Sequence, residues 1–241
     1  MHHSSPRSVA AAAASARYNM YGFIHKALRA FMADTLLRLG RMDLADEREV
    51  DATLRQAREL LGFCRVHLDD ENRFVHPALE ACEPGSAARI AGEHVHHEED
   101  IALLLEQVDA LEQRRVDAAA GEAATDLYRW FALFVGENFQ HMDYEEREHN
   151  AVLWAHYSDA ELLAIEGALV ASLSPQASAL GLRWMLPSLS HAERLQLLGG
   201  IRANAPDHVF GGALALARAH LDEHDWRKLS AALALPAAQA A

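Results

Sequence analysis

Cysteine is nearly missing: Cys64 and Cys82 are the two in the chain. Two thiols give neither a disulfide framework nor a CxxC metal motif, which suits a reducing compartment and a cytosolic protein. Positive charge is also scarce, with 22 Lys and Arg against 35 Asp and Glu and a formal net charge of −13. Such a chain repels nucleic acid and anionic membranes, so no nucleic-acid or membrane partner is expected and the partner is a small molecule or a protein. Long apolar runs are absent too, and nothing approaches the roughly 20 residues of a membrane span. The opening MHHSSPRSVAAAAASA has an alanine tract but no leucine-rich core. It reads as a loose tail over residues 1–17 rather than a signal peptide, with His2 and His3 in the tail.

What the chain does have is 51% hydrophobic residues, enough for a substantial core, and fifteen histidines. The question is how many of those histidines face inward. Tyr21, His25, Leu28, Met32, Thr35 and Leu39 follow helical spacing and predict a helix from about residue 18 to Gly40, where glycine stops it. Val50, Ala57, Cys64, His67, Glu71 and Phe74 predict a second, ending near His76-Pro77. His67 and Glu71 are four apart and share its inner face, while Asp69 and Asp70 take the solvated one.

Glu83-Pro84-Gly85-Ser86 reads as a turn with a serine cap. A third helix then carries Ile90, His94, His97, Ile101, Leu104, Val108 and Leu111 inward, with His96, Glu98 and Glu99 outside the stripe. A fourth, starting near Gly121, carries Leu127, Phe131, Phe134, Asn138, His141, Glu145, Glu148 and Val152. His141 and Glu145 repeat the HxxxE spacing of His67 and Glu71.

Four such stripes predict an all-α protein: an up-down-up-down four-helix bundle over residues 18–157, with a metal site in its interior. After Ser158 the histidine pattern stops, and breaks at Ser174-Pro175, Pro187-Ser188, Gly199-Gly200 and Ala205-Pro206 predict an appendage of short helices over 158–241. Ser190 and Glu193 have capping-box spacing and mark a helix start. His220 and His224 flank Glu223 without a third ligand nearby and stand outside the predicted site.

Carboxylates and imidazoles buried without counter-charge would cost roughly several kcal/mol per ion, so a cation among them is the economical explanation. Mixed imidazole and carboxylate donors suit iron, and zinc or manganese could take the same ligands. A ferritin-like site would need two ExxH motifs with added glutamates, and this chain offers one, Glu146-Arg-Glu-His149.

His25, the HxxxE of His67 and Glu71, the pair Glu93-His94 and the HxxxE of His141 and Glu145 together resemble the hemerythrin-like (HHE cation-binding) family over about residues 18–156. The segments ENRFVHPAL (71–79) and EEREHNAVLW (145–154) are similar to those that follow the ligand glutamates in that family. The resemblance implies two irons, one terminated by His25 and His67 and the other by His94 and His141, with Glu71 and Glu145 bridging. His97 joins the candidate ligands as a fifth histidine or lies just outside them. Tyr21 and Tyr144 are candidates to donate hydrogen bonds to ligands or to fill the core, and His76 and His149 stand outside the predicted ligand set.

Oxygen-carrying relatives have two third-helix histidines four apart and an acidic ligand five after the fourth-helix histidine. Here those spacings are three and four, which argues against reversible oxygen carriage. The implied function is a non-haem diiron protein that binds or responds to oxygen, nitric oxide, peroxide or redox state, with a redox or signalling protein as a further partner. The alternatives are a diiron oxidoreductase that reduces peroxide or oxygen, and a metal-free helical interaction scaffold. No catalytic residue stands out.

Overall fold

A computed structural model describes residues 17–114 and 119–236. Residues 1–16, which hold His2 and His3 and nearly all of the expected tail, lie outside the described residues. Within them the chain is all helical. Among the described residues no helix is long and apolar enough to cross a membrane.

The longest helices are α1 (Gly22–Arg41), α2 (Glu47–Asp70), α4 (Ala88–Arg114) and α5 (Ala120–Tyr144), with the short α3 (His76–Cys82) following α2 and α6 (Asn150–His156) following α5. α1 packs against α2 and α5, and α4 also packs against α2 and α5, so the four close into a ring. One apolar cluster fills most of it, including Leu28, Phe31, Leu60, Leu61, Ile101, Leu104, Phe131 and Phe134. A second contains Met20, Tyr21, Val75, Leu79, Leu153 and Leu162. On each long helix the predicted ligands fall between residues of these two clusters. The site is therefore a polar layer between two apolar ones.

Several local expectations change. α1 starts at Gly22 rather than near residue 18, because the Asn19 side chain accepts hydrogen bonds from the Tyr21 and Gly22 amides at 3.0 and 3.1 Å. Gly40 does not stop the helix but lies within it. A Cβ there would stand 2.9 Å from the Tyr128 ring, so glycine permits close approach of α1 and α5. Ser86 does not cap α4, since its buried hydroxyl has no partner. The Glu80 carboxylate takes that role, accepting from the Gly85 and Ala87 amides at 2.7 and 2.9 Å across a turn in which Gly85 has φ of 91°.

The largest departure concerns the two inner stripes that end in glutamate. From Glu71 to Val75, and again from Glu145 to His149, the backbone widens into a π-helical turn. The His76 and Asn150 amides bond the carbonyls of Glu71 and Glu145, five residues back. Each turn slips the inward face by one residue. Glu148, expected inside, is exposed, while His149 and Leu153 are buried. Val75 and His76 are likewise buried where Phe74 was expected. The helix also runs past Pro77, because its missing amide falls at the start of α3, where the wider turn has interrupted the regular ladder.

The remaining helices are α7 (Asp159–Ser172), α8 (Pro175–Ser188), α9 (His191–Asn204), α10 (Asp207–His220) and α11 (Glu223–Ala232). The Ser190–Glu193 capping box is present. Pro187 and the Gly199-Gly200 pair, expected at breaks, lie inside α8 and α9. Leu186, Leu198, Leu214, Ala217, Trp226 and Leu229 form a separate core. Arg194 is buried beside it, donating to the Leu186 carbonyl at 2.6 Å and to Asp225 at 2.5 Å.

This region is anchored to the ring. α8 packs along α1, where Trp184 stacks on Phe31 with centroids 4.0 Å apart and planes 13° off parallel. Lys26 pairs with Glu193 at 2.5 Å. Arg17, assigned in the sequence to a loose tail, instead bonds Asp159 and the carbonyls of Trp154 and Tyr157. Trp184→Ala should uncover the fully buried Phe31 and cost about 3 kcal/mol, read as a lower midpoint in chemical denaturation with metal content unchanged.

Candidate metal centre

α1 presents His25, α2 presents His67 and Glu71, α4 presents His94, and α5 presents His141 and Glu145. The HxxxE spacing works because each histidine precedes its glutamate by one helical turn, placing both on one face just ahead of the π-helical widening. All six are at most 3% exposed on their side chains except His67, at 12%.

These residues sort into two quartets whose donor atoms converge: His25, His67, Glu71 and Glu145, and Glu71, His94, His141 and Glu145. The glutamates belong to both because their two oxygens face opposite ways. Glu71 Oε1 lies 3.3 Å from His67 Nε2 and 3.8 Å from His25 Nε2, while its Oε2 lies 3.3 Å from His94 Nε2. Glu145 Oε2 lies 3.5 Å from His25 Nε2, and its Oε1 lies 3.4 Å from His141 Nε2 and 4.0 Å from His94 Nε2. Two nitrogens or oxygens bound about 2.1 Å from one ion stand roughly 3 to 3.5 Å apart, close to these spacings.

The hydrogen bonding supports the fit. His25 Nε2, His67 Nε2 and all four oxygens of Glu71 and Glu145 are buried with no hydrogen-bond partner. His94 Nε2 and His141 Nε2 face each other at 3.2 Å, as two donors aimed at one point do. A cation at each point would satisfy atoms that are otherwise orphaned in a dry interior.

The electrostatics run the same way. Burial opposes ionisation of Glu71, but His67, His25 and His94 around it hold its carboxyl well below the usual range. Burial and the neighbouring charge of Glu71 push Glu145 up to about 7, so without a cation the two carboxylates resist being charged together. Burial pushes His67 down to about 4, into its neutral, coordinating form. His141 is held up to about 9 against burial by Glu145, Glu71 and Glu93.

The outward nitrogens of three of the four quartet histidines are tied down. His25 Nδ1 bonds Glu146 Oε1 at 2.9 Å, and Arg29 donates to the same oxygen at 2.6 Å. His141 Nδ1 bonds Glu93 Oε2 at 2.9 Å, with Arg89 donating to the other oxygen at 2.8 Å. His94 Nδ1 contacts Asn72 Oδ1 at 2.8 Å. Each such partner fixes the ring and leaves Nε2 as the inward donor.

Sequence spacing missed these partners because Glu146, Glu93 and Asn72 sit beside the inner stripe rather than on it. The signal was that each directly follows or precedes a ligand in sequence.

His97 is buried but belongs to neither quartet. Its ring packs edge-on to His141 at 4.8 Å and to Phe134 at 6.1 Å. The three-residue spacing from His94 places it nearly a turn further along α4, in contact with the His141 ring rather than with the shared carboxylates. The Tyr21 hydroxyl meets no quartet side chain and lies 3.1 Å from His149 Nδ1. Tyr144 lies under Arg89, whose guanidinium carbon is 4.1 Å from the ring centroid. His96, exposed on α4, groups with Asp100 of α4 and Glu137 of α5 and with no quartet residue.

Glu93→Gln and Glu146→Gln should each weaken metal affinity about 10- to 100-fold while leaving the stoichiometry unchanged. Competition against a chelator of known affinity measures this, and unchanged affinity in both variants would count against the ring-orienting role.

No curated protein and no solved structure matches the chain. The model of the hemerythrin HHE cation-binding domain matches residues 19–152, which covers both glutamates and all four quartet histidines. With more than half of the sequence matched and the predicted ligand residues brought together, the chain belongs to the hemerythrin HHE cation-binding domain family.

Proposed function

We propose that this protein is a cytosolic non-haem diiron protein that binds or responds to a small oxidant or diatomic ligand: oxygen, nitric oxide, peroxide or a change of redox state. The observation that carries the reading is the opposed use of the carboxylate oxygens, by which Glu71 and Glu145 each serve both quartets. In this reading the four long helices run as an up-down-up-down bundle, with the C-terminal helices docked along α1.

Two iron ions would supply one-electron changes and coordination positions beyond the four protein donors of each quartet. The protein's own residues do the rest. His25 and His67 would hold one ion and His94 and His141 the other, with Glu71 and Glu145 offering an oxygen to each. Glu146 with Arg29, and Glu93 with Arg89, keep His25 and His141 oriented. Near-complete burial excludes bulk water and admits only small ligands. The apolar layers above and below keep the centre rigid.

A metal-free scaffold accounts poorly for two buried carboxylates whose four oxygens lack any hydrogen bond. Two free thiols support a reducing compartment. A redox or signalling protein is the proposed recipient of the change at the centre.

The chain as isolated should hold close to two irons, and Glu71→Ala should lose both together because its two oxygens serve separate ions. Elemental analysis decides this, and full retention of iron in Glu71→Ala would sink the bridging assignment. Removing the metal with a chelator under reducing conditions should lower the melting temperature, since cation binding energy is folding energy here. His94→Ala should lose at least one iron, whereas His97→Ala should keep two and alter the visible spectrum or the reaction with oxygen. The opposite result would pass the ligand role to His97. Steady consumption of peroxide or oxygen with a reductant would favour the oxidoreductase reading over simple binding.

A further inference from the structure

His76 and His149 belong to neither quartet, and the structure brings them together beside one. Both are buried, at 7% and 1% exposure. The π-helical turns put them there, since each slips its helix by one residue and rotates inward a histidine that regular helical spacing would place elsewhere. His76 stacks on the ligand His94 with centroids 4.9 Å apart, and its ring is edge-on to His149 at 5.8 Å.

The Nε2 atoms of both are buried with no hydrogen-bond partner among the described residues. A donor atom from each, together with an oxygen of Glu145, lies within 4.8 Å of the others. His149 also carries the arrangement seen at His25, His94 and His141: its Nδ1 is tied, here to the Tyr21 hydroxyl at 3.1 Å, and its Nε2 is left free. With Nδ1–H donating to the phenol oxygen, the Nε2 lone pair is available to a cation.

We propose that His76, His149 and Glu145 form a third cation site, for a single divalent first-row transition metal such as Co2+, Zn2+ or Fe2+. Two imidazoles and one carboxylate favour these ions over Mg2+ or Ca2+, which seek oxygen-rich shells. The inference rests on the two-ion reading through Glu145, which serves both quartets as well. Because that carboxylate is shared and the neighbouring ions repel a third, the site fills last and binds more weakly than the first two. A satisfied core histidine would have each nitrogen bonded or turned to solvent, and the Nε2 atoms of His76 and His149 are neither.

The test is anaerobic equilibrium dialysis of the metal-free full chain against Co2+, with elemental analysis across a range of free metal. The wild type should bind three equivalents, the third at higher free Co2+. His76→Ala and His149→Ala should each saturate at two. Glu71→Ala, which disrupts both quartets but not the third site, should retain one equivalent that the Glu71→Ala/His149→Ala double variant loses.

Circular dichroism checks that each metal-free variant is folded, and His149→Gln replaces His149→Ala if the latter is not. Saturation of the wild type at two overturns the proposal, as does an undiminished third equivalent in both single histidine variants. Failure of the two-ion reading looks different: the first two equivalents would then be missing in the wild type or insensitive to Glu71→Ala.

Discussion

Two carboxylates, Glu71 and Glu145, lie side by side in the dry middle of the helix ring without a hydrogen bond to any of their oxygens. In a low-dielectric interior such a pair is tolerable only if positive charge surrounds it. The structure supplies part of that charge through His25 and His141, whose charged forms the surrounding carboxylates favour against burial, and through two arginines further out, Arg29 and Arg89, which act through Glu146 and Glu93. Charge thus alternates outward from carboxylate to imidazole to carboxylate to guanidinium. Where the imidazoles carry the charge they do so as protons, which a bound cation would replace with a stronger and more directional charge.

The apolar layers make the constraint severe and also useful. Phe31, Phe131, Phe134 and Leu104 on one side, and Val75, Leu79 and Leu153 on the other, keep water from relaxing the field. They also keep the side chains from swinging away from one another. The outer helices reinforce this arrangement. α7 packs on the π-helical turn that begins at Glu71, and α8 covers Phe31 with Trp184. The segment ahead of α1 is tied to α7 by Arg17 and by the half-buried pair of Tyr18 with Glu166. The C-terminal helices therefore bear on the site through packing, although none of their histidines joins it.

The two π-helical turns carry structural information that helical periodicity does not contain. Each begins at a shared glutamate and inserts one residue's worth of slack into the backbone ladder. Up to the glutamate the inner stripe obeys 3.6-residue spacing, so His67, Glu71, His141 and Glu145 were legible from spacing alone. Beyond it the stripe shifts by one, which is why Glu148 and Val152 were expected inside and His149 and Leu153 are found there instead.

From the sequence alone came the helical class, the two HxxxE pairs, the inward His25 and His94, and the expectation that charge buried at one level calls for a cation. These were legible because helical periodicity converts spacing into direction, and because the ligand types are chemically distinct from an apolar stripe. Only the tertiary structure decided that each glutamate turns its two oxygens to different histidine pairs, that His97 packs on His141 outside both quartets, and that Glu93, Glu146 and Asn72 hold the rings. It also decided that His76 meets His149. These facts depend on how separate helices are rotated against one another and on a local break in backbone hydrogen bonding. Spacing along one helix fixes neither, since both are set by the packing of the four helices together.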